Sequence, residues 1–201
     1  MGIVVYIILY LVATTFYPDG SQVDKNSIGF SWVNNYWCNL LNEKAINGEH
    51  NAAKPFAVCA MVVLSVSLTL FWFLFARHMK IKRSLRVLIQ ISGMLSILLS
   101  FFLLTNSNHD LVINVASMAG LVAVIGTYIG FYKNKLHLLF SFGLLMILLI
   151  ALNNYVYYTK GLIIYLPVIQ KITFAIFLIW ICCIDINLYR RSYSLSLSDN
   201  N

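Results

Sequence analysis

Residues 55–76 read PFAVCAMVVLSVSLTLFWFLFA, a run with no acidic or basic side chain and no glycine. As a helix rising 1.5 Å per residue it would be about 33 Å long, which matches a bilayer hydrocarbon core of about 30 Å. Five further runs have the same character: Ile3 to Tyr17, Val87 to Thr105, Leu111 to Tyr132, Leu136 to Tyr158 and Val168 to Tyr189. A chain of 201 residues that is 60% hydrophobic and 10% charged, with a mean hydropathy of +0.80, holds more apolar surface than one soluble core can bury. The expected fold is an all-α, polytopic bundle of six transmembrane helices, one membrane domain over residues 1–191. Residues 192–201, polar and rich in serine, are expected to be a disordered tail.

The first run is the shortest, reaching only about 22 Å. A cleaved signal peptide is the other reading. It is disfavoured because no basic residue precedes Ile3 and the run ends in Thr14, Thr15, Phe16, Tyr17 and Pro18 in place of a small-x-small site. Basic residues set the expected orientation. Arg77, Lys80, Lys82, Arg83 and Arg86 crowd the link between the second and third runs, Lys133 and Lys135 follow the fourth, and Arg190 and Arg191 follow the sixth. The positive-inside rule puts these links and both termini in the cytoplasm and the long loop Pro18 to Lys54 outside. The formal net charge of +7 is then a topology signal, and nucleic acid is not an expected partner.

Small residues mark the expected helix contacts, because lipid chains give helices no hydrophobic reason to associate. Ser92, Ser96 and Ser100 form one stripe with Gly93 beside it, and Ala116, Gly120, Gly126 and Gly130 form two pairs four residues apart. The same stripe serves a second reading, in which it binds a partner membrane helix. The outer loop is far longer than the roughly 2–8 residues that connect helices in bundles, and Phe30, Trp32, Tyr36 and Trp37 make it aromatic. A short helix is expected within Asn34 to Leu41.

Polar residues gather near the outer ends of the runs. Asn39, His50 and Asn51 lie in the loop, His109 and Asp110 open the fourth run, and Lys171 sits about one turn into the sixth. An unpaired cation there costs a few kcal/mol, so Lys171 is expected to snorkel or to find Asp110, Glu43 or Glu49. These six residues are the candidate ligand-binding set. His50, His109 and Asp110 have the donor types that hold zinc, but no two histidines share a helix at i, i+4 spacing, so no metal and no cofactor is expected. Cys38 and Cys59 are close enough in the expected layout for a disulfide, and Cys182 and Cys183 read as apolar filler. The chain has no Gly-rich phosphate loop and no Gly-x-Ser-x-Gly elbow.

The segment Asn34 to Leu41, then Asn51, Lys54, Pro55 and Phe56, His109, and finally Gln170, Lys171 and Trp180, resembles the pattern of domain-of-unknown-function family 998. The resemblance covers nearly the whole chain and implies a six-helix protein of the bacterial cytoplasmic membrane. Where that family commonly has Ser-Asp-Leu-Gly, this chain has Cys38, Asn39, Leu40 and Leu41, so an amide stands at the acidic position. The layout is also similar to the Frag1/DRAM/Sfk1 group, linked to lipid and membrane homeostasis.

Three functions follow as expectations. The first is binding of a membrane lipid headgroup or small ligand in an outer-face polar pocket. The second is a membrane-embedded hydrolase or transferase with His109 as general base or metal ligand. The third is a non-catalytic scaffold or accessory subunit. Ion-coupled transport is disfavoured, because the runs hold no proline-broken helix pair and few acidic residues.

Overall fold

The computed structural model describes residues 1–100 and 109–198, with side chains described for all of these except 100, 109, 110, 113 and 191–198. Six α-helices account for most of the described chain: α1 Gly2–Thr15, α2 Lys54–His78, α3 Arg83–Ser100, α4 His109–Lys133, α5 His137–Tyr158 and α6 Leu166–Ser198. Two 3-10 turns, Trp37–Leu41 and Ile163–Tyr165, interrupt the connections. Pro55 and Pro167 each stand in the first turn of a helix, where a missing N–H breaks no bond. The described residues contain no strand, only the isolated bridges Asp19↔Ile28 and Lys44↔His50.

Four segments are long and apolar enough to cross a membrane: Lys54–His78, Asn114–Lys133, His137–Tyr158 and Ile163–Arg190. Their length and composition fit a membrane-embedded protein. The other two expected spans differ. The 14-residue α1 is too short to cross unaided, at roughly 21 Å. The described part of the third opens on Arg83 and Arg86, and its last residues, 101–105, lie outside the described chain. Helix α6 runs past its expected end at Tyr189 to Ser198, since no proline or glycine follows to stop it. The stretch 192–198, expected as disordered tail, thus continues the helical backbone.

The chain divides into two compact units. One comprises Met1–Val66 with Leu145–Leu178, and the other Ser67–Leu144 with Ile179–Asn201.

In the second unit, small residues let large ones close in. Gly93 faces the Trp72 indole, Gly126 the Ile89 side chain and Gly143 the Tyr128 ring, each so closely that a Cβ would overlap its neighbour. A Cβ on Gly120 would come within 3.0 Å of Ser96 Oγ, which itself donates to the Ala116 carbonyl at 2.8 Å. Ser96 with Ala116 and Gly120, and Gly126 with Ile89, join α3 to α4, whereas Gly93 and Gly130 face Trp72 and Phe75 of α2 and Met79 just after it, so these small residues lie in helix contacts. The Tyr128 hydroxyl donates to the Gly143 carbonyl, its ring stacks on Trp180 at 5.9 Å, and Trp180 Nε1 donates to the Leu139 carbonyl at 3.0 Å. Asn134 joins the two short links, accepting from Lys80 N at 3.1 Å and donating to the Gly130 carbonyl at 2.8 Å.

The first unit combines α1, the long loop, and the segments of α2, α5 and α6 that end at Val66, begin at Leu145 and end at Leu178. Tyr6, Tyr10, Ala13 and Tyr17 are its buried stripe on the first segment, spaced by three or four residues. The loop turns at Gly20, whose φ of +91° and contact with the Asn47 backbone leave no room for any side chain.

Candidate functional site

The loop is held by asparagines whose side chains turn inward. Asn51, fully buried, donates through Nδ2 to the carbonyls of Asn39 at 3.0 Å, Leu40 at 3.3 Å and Asn42 at 2.9 Å. Its Oδ1 accepts from Ala53 N at 3.1 Å, so both ends of the amide are spent on the backbone. Asn39, also buried, accepts from Tyr36 N through Oδ1 at 2.6 Å and opens the 3-10 turn Trp37–Leu41. That 3-10 turn is the helical element found in the stretch Asn34 to Leu41, where a short helix was expected. Asn35 ties together other parts of the loop, donating to the Gly20 carbonyl at 2.9 Å and accepting from Ser31 N at 3.0 Å. With backbone N–H and carbonyl groups as partners, these amides are buried in the apolar interior without losing their hydrogen bonds.

Lys171, expected to snorkel or to find a carboxylate, bonds to carbonyl oxygens. Its ammonium donates to the Asn35 carbonyl and, at 3.0 Å, to the Pro167 carbonyl one turn back on its own helix. It also lies 5.7 Å from the centroid of the Phe30 ring. Lys171 therefore pins the loop to α6. Glu43, one of its expected partners, pairs instead with Lys54, whose ammonium holds the exposed carboxyl below its ordinary range. His50 is exposed at the Lys44 bridge. The side chains of His109 and Asp110 lie outside the described residues. Among those described, no cluster of three His, Cys, Asp or Glu residues forms, and Cys38 and Cys59 are both free thiols.

Beside the pinned loop lies a cavity of about 440 Å³, wholly within the first unit. Its walls come from five segments. Tyr6 and Tyr10 contribute from α1, Trp37, Cys38 and Leu41 from the 3-10 turn, and Met61 from α2. Met146, Ile150 and Asn153 line it from α5, and Gln170, Thr173, Phe174 and Phe177 from α6. None of these side chains carries a formal charge at neutral pH. The Tyr10 hydroxyl donates to the Trp37 carbonyl at 3.2 Å and its ring meets the indole edge-on at 4.6 Å, so α1 and the loop share one wall.

The polar groups of the lining are unevenly served. Asn153 Nδ2 donates to the Leu149 carbonyl at 2.8 Å and to Thr173 Oγ1 at 2.6 Å, while Thr173 Oγ1 donates onward to the Ile169 carbonyl at 2.8 Å. Asn153 Oδ1 is buried with no hydrogen-bond partner, and so is the indole Nε1 of Trp37. A size of a few hundred Å³, apolar walls and a few polar atoms are the usual composition of a small-molecule site. The groove along α3, of about 570 Å³, is larger, but all its lining residues, Arg83, Ser84, Val87, Leu88 and Ile91, belong to one helix.

The cavity residues outside the loop were not singled out as a set by their sequence. A signal is present in retrospect: Tyr6 and Tyr10, Met146, Ile150 and Asn153, and Gln170, Thr173, Phe174 and Phe177 each share one helical face. Compared with protein-family models, with curated proteins and with solved structures, the chain matches none.

Proposed function

We propose that this protein is a multi-pass membrane protein that binds one small, largely apolar ligand, such as a membrane lipid, in the cavity of its first unit. The observation that carries this reading is the 440 Å³ cavity, walled by aromatic, Met, Leu and Ile side chains on five segments and bordered by a loop whose buried amides are satisfied. A lipid tail is the natural occupant of such a wall, because it exchanges one apolar environment for another at no cost in desolvation. In the same reading the chain crosses the membrane six times with both termini cytoplasmic, and the loop lies at the outer face. The resemblance to family 998 is what favours a bacterial cytoplasmic membrane in this reading.

In this reading Asn39, Asn51 and Lys171 act by holding the wall in place, and the residues that touch ligand are those of the lining. Native mass spectrometry of protein released from mild detergent tests the proposal. One lipid-sized adduct per chain is expected, and it is lost in Ile150→Phe, where the added ring occupies the cavity. A bare protein mass in lipid-supplemented detergent, or an adduct that survives Ile150→Phe, overturns it.

A further inference from the structure

The lining of the cavity changes along its length, and hydrogen bonds and ring contacts give the register. Asn153 of α5 donates to Thr173 Oγ1 of α6 at 2.6 Å, so these two residues share one level. Phe174, next to Thr173, meets the Tyr6 ring of α1 at 5.8 Å and brings that helix to the same level. On one side of it the Lys171 ammonium bonds to the Asn35 carbonyl, and the Tyr10 ring stands against the Trp37 indole at 4.6 Å. That side is the loop end of the cavity, lined by Gln170, Tyr10, Trp37, Cys38 and Leu41.

On the other side lies the far end. Ile150 and Met146 precede Asn153 by three and seven residues, and Phe177 follows Thr173 by four. Met61 lies two turns beyond the start of α2 at Lys54, which the ion pair with Glu43 ties to the loop. Hydrogen-bonding side chains therefore stop at the middle level, where Tyr6, Asn153 and Thr173 stand. Beyond them the walls offer nothing more polar than a thioether. The Gln170 amide, at the loop end, has no hydrogen-bond partner among the described residues.

Such a gradient fits a molecule that is polar at one end and apolar at the other. A wholly polar solute would lose its water at the far end without replacement, and a plain hydrocarbon would strip water from the Gln170 amide and return no hydrogen bond. Size sets a second limit. From Gln170 to Phe177 helix α6 rises about 10 Å, and a volume of about 440 Å³ lies low in the range of sites for one small molecule. A lipid with two membrane-length chains needs far more.

We infer that the cavity takes a single-chain amphiphile, a monoacyl lipid, with its polar end at the loop and its chain running toward Met146 and Phe177. This inference rests on the cavity being the ligand site, and the test separates the two. 1-Oleoylglycerol and 1,2-dioleoylglycerol, which differ by one chain, are titrated against the intact protein in mild detergent, with one-to-one adducts counted by native mass spectrometry. The monoglyceride is expected to half-occupy the protein at about one tenth of the concentration that the diglyceride needs. Direction is read with two photoreactive monoglycerides, carrying a diazirine at the last carbon of the chain or beside the ester. The first is expected to label Met61, Met146, Ile150 or Phe177, and the second Cys38, Leu41 or Gln170.

Diglyceride binding as tight as monoglyceride binding overturns the single chain, and labelling that is reversed, or the same for both probes, overturns the direction. In either case loss of binding in Ile150→Phe keeps the cavity as the site. If neither glyceride binds while Ile150→Phe still displaces another lipid, the inference fails and the cavity reading stands. Binding unchanged by Ile150→Phe removes the cavity reading itself.

Discussion

The two units of this chain use large side chains in opposite ways. In the second, glycines at 93, 126 and 143 let Trp72, Ile89 and Tyr128 press directly against backbone, and the aromatic hydroxyl and indole there have carbonyl partners. In the first, Tyr6, Tyr10, Trp37, Phe174 and Phe177 stand around a cavity, and the Trp37 indole and one oxygen of Asn153 have no partner. Both regions draw on the same residue types. Small residues permit the close contacts of the second unit. In a bilayer that difference matters, because helices held by van der Waals contact and a few hydrogen bonds gain nothing from water exclusion among lipid chains.

The loop is where the first unit is most sensitive to substitution. Replacing Asn51 with Leu removes a donor shared by three carbonyls and the acceptor of Ala53 N, and should cost about 3 kcal/mol. The loss should be confined to the first unit, with faster proteolysis between Pro18 and Lys54. In the second unit, Gly143→Ala drives a methyl group into the Tyr128 ring and should lower stability by about 2 kcal/mol. Thermal unfolding in detergent measures both. A neutral result for Gly143→Ala would mean that the second unit is as loosely packed as the first.

Lys171→Met keeps the apolar stem and removes the ammonium from the Asn35 and Pro167 carbonyls, at an expected cost of about 1.5 kcal/mol. Ile150→Phe sharpens the contrast from the other side. Added bulk in the first unit should change stability by less than about 1 kcal/mol, because it fills space that the second unit does not have beside Gly143.

The smallest effect concerns the Glu43–Lys54 pair. Because Lys54 holds the Glu43 carboxyl below its ordinary value of 4.5, the contribution of the pair is complete above that pH and is lost as pH falls through the lowered value. A loop-cleavage rate measured against pH should rise across that window, and Glu43→Gln should flatten the rise. The pair is fully exposed at the carboxylate, which keeps the effect small.

Several features were legible before any coordinates. The apolar runs that became α2, α4, α5 and α6 announced themselves through length and lack of charge, and Ser96, Ala116 and Gly120 were legible as contact residues, though their meeting one another across α3 and α4 was not. Asn39, Asn51 and Lys171 were recognisable as unusual residues. Their partners were not, because each bonds to backbone groups, an N–H for Asn39 and carbonyls for Asn51 and Lys171, which no sequence pattern marks. Asn153 is a polar residue in an apolar run, but its unpaired oxygen depends on a rotamer set by Leu149 and Thr173.

The sequence by itself determined the helices and their suitability for a membrane, because helical rise and bilayer thickness turn composition into length one segment at a time. Tertiary structure alone decided the cavity and its unpaired donor and acceptor. Those come from five segments spread between Tyr6 and Phe177, and whether side chains from such distant places meet or leave a gap depends on how the helices pack.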